Sequence, residues 1–175
     1  MHVLSRRRFV GCLAAPLLAP SALAAESRVA RSLAFDHTHT GERLIVDYFR
    51  DGAYDPDALL AVNHLLRDFR TNESHVIHHG LLDLLHRLAR VTDTHSPFEV
   101  ISGYRSPATN AMLRRRSEGV AAGSLHMVGE AIDIRLTDVP LQKLRQAALA
   151  LRGGGVGFYP ASNFVHVDVG RVRTW

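Results

Sequence analysis

Residues 101–136 are ISGYRSPATNAMLRRRSEGVAAGSLHMVGEAIDIRL, and we expect the rest of the chain to be built around this stretch. It places His126 and Asp133 seven positions apart, with Gly129 between them. Histidine and aspartate are both zinc ligands, and a catalytic zinc typically takes three protein ligands and keeps one open position. The third ligand is missing here. The best candidate lies in residues 163–168, NFVHVD, where a histidine and an aspartate alternate with valines.

Two segments show the period of two that is typical of half-buried strands. In residues 130–136, Asp133 lies on the face opposite the isoleucines. In residues 164–169, His166 and Asp168 share the face opposite the valines. Both strands could therefore turn their polar side chains into one cleft.

The remaining patterns alternate short strands with amphipathic helices. Helix signals include Asp55 as N-cap followed by Pro56. The predicted elements are a β-hairpin from residues 32–35 and 43–49, a helix after Asp55 with Leu59, Val62, Leu66 and Phe69 at helical spacing, helices at 80–91, from Pro107 and at 140–152, and strands at 98–102 and 155–159. We find no internal repeat and no linker. These patterns predict one α+β domain, with a small, mostly antiparallel sheet that holds the zinc cleft and is flanked by helices.

Two other groups of histidines could be taken for metal sites. His37 and His39 lie in a turn of polar composition, where histidines are usually solvated. His75, His78 and His79 stand close together before the helix at 80–91 but have no carboxylate among them. We therefore interpret the second group as a surface cluster at a helix entry.

The first 24 residues are predicted to be an export signal. Arg6–Arg8 precede about fifteen largely apolar residues and the small-residue cleavage site Ala22-Leu23-Ala24. SRRRFV resembles the twin-arginine motif, which implies a bacterial protein exported to the periplasm by the Tat machinery. The alternative is an uncleaved anchor, but a stable span needs about 20 apolar residues. The single cysteine, Cys12, would be lost with the leader.

Composition argues against a nucleic-acid-binding protein. The 175 residues are 46% hydrophobic, which suits one domain with a substantial core, here residues 25–175. The net charge is +4, but three of these charges belong to Arg6–Arg8, so their removal leaves +1. A nucleic-acid-binding domain is expected to keep a basic face after maturation.

Three further residues are candidates for substrate contact. Arg105, at the end of a predicted strand, could hold a substrate carboxylate or stabilise an oxyanion, although a lone arginine more often forms a surface ion pair. Ser124 could hydrogen-bond the substrate or only cap a turn. We also assign Tyr104 to substrate binding. Gly129 should allow a tight turn between the ligands, where a side chain could block the metal.

Three motifs in combination resemble one family. They are Ser102-Gly103-Tyr104-Arg105, the pattern S-x-H-x-x-G-x-A-x-D over residues 124–133, and the late strand that contains His166. They resemble the zinc D-Ala-D-Ala peptidase superfamily, which shares its fold with the hedgehog signalling domain and includes bacterial DD-carboxypeptidases and murein endopeptidases. The leader and residues 153–168 are most similar to the small exported murein endopeptidase K type.

The resemblance implies a zinc site and an activity. His126, Asp133 and His166 would be the zinc ligands, and Arg105 would contact the substrate or the transition state. The activity implied is zinc-dependent hydrolysis of peptide cross-links in peptidoglycan. Two alternatives are a DD-carboxypeptidase and a non-catalytic, zinc-containing domain that binds peptidoglycan.

The chain departs from the superfamily at the general base. Members carry a glutamate three residues before the last ligand or a histidine two residues before it, whereas this chain has Asn163 and Phe164. Asp168 is our candidate base, because the period of two places it beside His166. Its competing role is to orient a ligand histidine.

Overall fold

In the part of the chain that the structure describes, a mixed sheet of eight strands places the candidate ligands. The computed structural model describes residues 30–116 and 119–175, so the predicted export signal lies outside the described residues. The strands follow the order β3-β2-β1-β4-β5-β7-β6-β8. Their bounds are β1 Arg31–His37, β2 Arg43–Arg50, β3 Ala53–Tyr54, β4 Phe98–Ser102, β5 Ala131–Arg135, β6 Gly155–Tyr159, β7 Phe164–Asp168 and β8 Arg173–Thr174.

The predicted α+β class and the mostly antiparallel character of the sheet are confirmed, but the sheet in the described residues is larger than expected. Five of the strand pairs are antiparallel, whereas β1 pairs with β4 and β6 pairs with β8 in parallel. The strands β3 and β8 have two residues each. Strands this short carry no detectable periodicity, because alternation needs at least four residues to be seen.

Three of the four helices in the described residues cover one face of the sheet. The helices are α1 Pro56–Leu65, α2 His79–Thr92, α3 Pro107–Arg116 and α4 Leu141–Leu151. The predicted start of α1 is confirmed, since Asp55 accepts hydrogen bonds from the backbone N–H groups of Asp57 and Ala58. Helix α2 packs against α4 and β1, and α1 packs against β2. Among the described residues, no helix combines the length and apolarity needed to cross a membrane.

The buried face of the sheet determines which residues reach the other face. Ile132, Ile134, Val165 and Val167 are fully buried in the same core as the leucines of α2. Each such side chain contributes roughly 1.5–3 kcal/mol on burial. Because side chains alternate, a register slip of one residue would bury polar side chains among the helices instead. The predicted faces of β5 and β7 are confirmed.

Two predictions about the first half of the chain were wrong. Helix α1 ends at Leu65, so Phe69 lies in the following loop and not on the helix. The reason is Asp68, whose buried carboxylate accepts the backbone N–H groups of Arg70 and Ser106 and so ties this loop to the segment before α3. In addition, His37 is buried rather than solvated, and its Nδ1 faces the backbone N–H groups of the turn that follows.

Gly129 ends the short 3-10 turn Leu125–Val128, which carries His126. Its φ of 69° is in the left-handed region, and a Cβ atom here would lie 2.1 Å from the carbonyl oxygen of Val76. The predicted tight turn is therefore confirmed. A side chain at position 129 is excluded, however, by the Val76 backbone and not by the space for the metal.

Replacement Gly129→Ala should lower the free energy of unfolding by about 2 kcal/mol or more, because it combines an unfavourable φ with a backbone collision. The matched control is Gly41→Ala, which has a φ of 73° and nothing within 4 Å of the added Cβ. The free energy of unfolding of the control should fall by only about 1 kcal/mol, which is the cost of the unfavourable φ alone. Urea unfolding measures both, and equal losses would contradict the steric argument.

Candidate active site

Three buried side chains converge on the face of the sheet opposite the core. His126 comes from the 3-10 turn, Asp133 from β5 and His166 from β7, and the last two are cross-strand partners. His166 Nδ1 lies 2.9 Å from Asp133 Oδ1 and 3.1 Å from His126 Nε2. His126 Nε2 is 3.3 Å from the same carboxylate oxygen. The three residues predicted as ligands thus form one cluster.

The outer hydrogen bonds of the two histidines fix which nitrogens face inward. His126 Nδ1 lies 2.7 Å from the carbonyl oxygen of Gly103, to which it can only donate. His166 Nε2 lies 3.1 Å from Asp168 Oδ2 and is likewise the donor. The inward nitrogens of neutral rings therefore carry lone pairs that face each other at 3.1 Å. Two lone pairs and a carboxylate oxygen at these distances require a cation or a proton among them.

The electrostatics of the cluster agree with this requirement. Burial on its own would raise the pKa of Asp133, but the nearby His126 and His166 outweigh it and hold that pKa well below its usual range. Burial lowers the pKa of His166, and hydrogen bonds to Asp133 and Asp168 more than reverse that effect. The protein thus keeps Asp133 negatively charged in a buried place, which is costly unless a positive charge lies beside it.

No other group of three or more His, Cys, Asp or Glu side chains in residues 30–116 and 119–175 converges in this way. In the rival histidine group, His78 caps α2 by accepting from the Gly80 N–H, and His75 stacks on Tyr104 at 4.8 Å. Its interpretation as a helix-entry cluster is consistent with these positions. The group of His126, Asp133 and His166 could hold a metal ion.

Asp168 lies outside the cluster, behind His166. Its fully buried carboxylate accepts hydrogen bonds from the backbone N–H groups of Gly155 and Gly170 and from Arg173. Burial would raise its pKa, but the bonds from His166 and Arg173 hold it well below the usual range. The carboxylate is therefore saturated with donors and contacts the Nε2 edge of His166, not the inward Nδ1. This geometry does not suit the predicted general base and suits the competing role, orientation of His166.

Arg105 reaches the cluster from the segment that follows β4. Its Nη2 lies 3.6 Å from Asp133 Oδ2, and its Nη1 has one long contact, 3.4 Å, to Asn110. Its buried Nε has no hydrogen-bond partner among the described residues. Burial lowers the pKa of Arg105, which Asp133 partly opposes. The guanidinium therefore keeps donors available at the cleft.

The preceding glycine explains how Arg105 arrives there. A Cβ atom at Gly103 would lie 2.5 Å from the carbonyl oxygen of Leu66, so only glycine allows this close approach of the backbones. The Tyr104 N–H donates to the same Leu66 oxygen. The carbonyl of Gly103 is thereby held in place to accept from His126.

The two other predicted substrate residues have different surroundings. Ser124 lines the cleft, and its side chain makes no capping bond to the 3-10 turn, so it is available to a substrate. Tyr104, by contrast, is buried and packs on His75, and it is not among the residues that line the cleft. The structure does not support the assignment of Tyr104 to substrate binding. The sequence suggested it only through its place beside Arg105.

The cluster lies in an open cleft of about 620 Å³ whose two walls differ in chemistry. One wall contains His39 and Arg70, and the other contains Tyr159, Phe164 and Trp175. The sequence analysis did not identify Arg70, Tyr159 or Trp175 as cleft residues, and it assigned His39 to a solvated turn. They come from loops and strand ends that are far apart in the chain. Only the order of strands in the sheet brings them to one cleft.

Comparison with known proteins gives one family. A family model described as Peptidase_M15_2, peptidoglycan L,D-endopeptidase MepK, matches residues 25–175. The chain is 45% identical over 145 residues to peptidoglycan L,D-endopeptidase MepK of Escherichia coli strain K12, which covers 83% of this chain and 80% of the relative. The MepK of Shigella flexneri matches to the same extent. A probable MepK of Haemophilus influenzae is 45% identical over 146 residues, 83% of this chain and 78% of the relative.

A divalent cation that binds the cluster should stabilise the folded chain. At a free concentration 100 times the dissociation constant, the gain is about 2.7 kcal/mol, because the unfolded chain does not hold the three ligands together. Thermal unfolding with increasing Zn²⁺ should show this gain for the wild type and for His95→Ala, an exposed histidine outside the cleft. His126→Ala should not respond. An equal response of His126→Ala would show that the ion binds elsewhere.

Proposed function

This chain belongs to the peptidase family described as peptidoglycan L,D-endopeptidase MepK, and from that premise we propose that it hydrolyses peptide cross-links of peptidoglycan with the help of a bound zinc ion. The observation that carries the proposal is the cluster of His126, Asp133 and His166 at the base of an open cleft. A peptide chain can enter a cleft of this kind. A purely structural metal site would be closed.

Zinc is the ion that best suits the donors. Two imidazole nitrogens and one carboxylate oxygen form a set typical of catalytic zinc. All three side chains are buried, and the outer nitrogen of each histidine is hydrogen-bonded to the protein. When bound, such an ion supplies Lewis acidity, which lowers the pKa of water and polarises a peptide carbonyl. The other requirements of the reaction fall on the side chains around it.

Arg105 is proposed to stabilise the negative charge that develops on the substrate carbonyl oxygen. Its guanidinium is next to Asp133 and largely withdrawn from water, and within residues 30–116 and 119–175 its Nε has no hydrogen-bond partner and its terminal nitrogens make only long contacts. Donors that are already positioned in a dry site need no reorganisation when charge appears. Ser124, at the rim, is proposed to hydrogen-bond the peptide backbone.

Asp168 is proposed to position His166 and not to act as the base. Its bond to Nε2 keeps Nδ1 free and directed at Asp133, and its other donors hold the carboxylate still. Arg173 neutralises the charge that this buried group carries, with Nη2 at 2.7 Å from Oδ2. A carboxylate behind a ligand histidine fixes the tautomer and raises the basicity of the ligand.

The proposed site of action is the periplasm, reached by twin-arginine export. Peptidoglycan, the substrate named for the relatives, lies outside the cytoplasmic membrane. The proposal is supported by SRRRFV and the apolar run after it, and by the family match, which begins at residue 25, directly after the predicted leader.

The zinc-loaded protein should convert cross-linked muropeptide dimers to monomers, and a chelator should stop the reaction. His166→Ala should reduce the rate by about 10³-fold or more, because several kcal/mol of Lewis-acid stabilisation is lost with the ion. Mass spectrometry of the digest measures the rate and identifies the bond from the product masses.

The same digest separates the other activities. Release of D-alanine without monomers would show a carboxypeptidase. Equal product patterns for wild type, chelated protein and His166→Ala would contradict the proposal, and if the wild type still bound sacculi and zinc, the site would serve binding alone.

Asp168→Asn should weaken zinc binding by about 10–100-fold, since the amide cannot fix the His166 tautomer as the carboxylate does. Much of the activity should return at saturating zinc. Arg173→Gln is the matched control, because it removes the ion pair with Asp168 but leaves the contact to His166. Zinc affinity by competition with a chelating dye, together with kcat at saturating zinc, measures both effects. Unchanged zinc affinity with a lost kcat would instead assign Asp168 as the base.

A further inference from the structure

The wall of the cleft formed by residues of two separate loops has no role in the chemistry above. Phe69 stands at its centre: the His39 ring stacks on it at 4.1 Å, and the Arg70 guanidinium carbon lies 4.2 Å from its ring centroid. His39 and Arg70 both line the cleft. Phe69 thus holds an imidazole and a guanidinium beside the space that a substrate would occupy.

This wall is firmly held although it consists of loops. The buried Asp68 carboxylate accepts the backbone N–H of Arg70 at 2.9 Å and that of Ser106 at 2.9 Å. Burial would raise the pKa of Asp68, but hydrogen bonds from Thr109 and Ser106 outweigh it, so the pKa is lowered and the carboxylate stays charged. The loop with Arg70 is thereby tied to the segment that carries Arg105.

Among the described residues, the charged side chains that line the cleft are not balanced. Three arginines belong to this lining: Arg105 lies near Asp133, Arg173 is paired with Asp168, and Arg70 is the third. Arg70 forms no ion pair with any described residue, although it is exposed at the cleft. Among the described residues that line the cleft, Asp133 has the only carboxylate side chain. No described residue of the cleft therefore supplies the negative charge that would pair with Arg70.

The groups around Arg70 respond to its charge. Burial, and after it the charge of Arg70, lowers the pKa of His39, so the imidazole is neutral near pH 7. A negative group bound beside Arg70 would neutralise this charge. A neutral His39 beside it can still donate or accept one hydrogen bond.

We propose that Arg70 binds a free carboxylate of the cross-link peptide and so determines specificity for an acidic substrate, an inference that rests on the proposed function. Strand order gives the approximate place of this carboxylate. His39 follows β1, which is two strands away from Asp133 in β5, or roughly 10 Å. The carboxylate therefore belongs to a residue about one to three positions from the bond that is cut, since each residue spans at most about 3.5 Å.

The test compares Arg70→Gln with wild type on synthetic cross-linked peptides that differ by one group. One peptide has all its carboxylates free, and each of the others carries a single carboxamide in place of one carboxylate. Arg70→Gln should raise KM for the free acid about 10-fold and change kcat less than 2-fold. On the one carboxamide that lacks the carboxylate bound by Arg70, KM of the wild type should also rise about 10-fold. Wild type and Arg70→Gln should then have equal KM for that peptide.

The matched control is Arg90→Gln, an exposed arginine in the last turn of α2 that does not line the cleft. It should behave as the wild type on every peptide. Arg70→Lys should recover part of the affinity for the free acid, because it keeps the charge but not the bidentate geometry. Thermal midpoints of all variants check that the fold is intact.

An equal effect of Arg70→Gln on all peptides would overturn the inference, since Arg70 would then only shape the loop. No effect on any peptide would overturn it as well. Failure of the proposed function looks different, because the wild type would then cleave no cross-linked peptide. In that case calorimetric binding of the free acid and the carboxamides to zinc-loaded wild type still decides whether Arg70 recognises a carboxylate.

Discussion

The pairing of Asp133 with His166 across β5 and β7 is the constraint on which the rest of the structure depends. It places a carboxylate oxygen and an imidazole nitrogen 2.9 Å apart without any contribution from loops. The register is held by the opposite face, where isoleucines of β5 and valines of β7 are fully buried under the helices. The core thus positions the candidate ligands, because the same alternation that buries the apolar side chains presents the polar ones.

His126 is brought to this pair by backbone packing. Gly129 packs against the backbone of Val76, and Gly103 packs against the backbone of Leu66. The Gly103 carbonyl accepts a hydrogen bond from His126. Both contacts require glycine because another backbone occupies the position of a Cβ atom. Residues of the first half of the chain therefore hold His126 in position. A substitution among them can change the geometry of the cluster without replacing a candidate ligand.

The sequence was sufficient for the parts of the site that lie on regular elements. Spacing and the period of two indicated His126, Asp133 and the strand with His166 and Asp168, the family resemblance implied His166 as the third ligand, and the structure places these three together. The end of α1 was not predictable from apolar spacing, since Asp68 diverts the chain through bonds to a segment 38 positions away. Arg70 and Trp175 were missed for a related reason: their proximity to the cluster depends on strand order, which local patterns do not contain.

We propose that one zinc ion is held by His126 Nε2, Asp133 Oδ1 and His166 Nδ1. Anomalous diffraction at the zinc edge, on crystals of the zinc-loaded protein, tests this most directly. We expect one peak about 2.0–2.2 Å from each of these three atoms, with Asp168 still bonded to Nε2 of His166. A peak at the histidines before α2, or a zinc bound through Nε2 of His166, would contradict it.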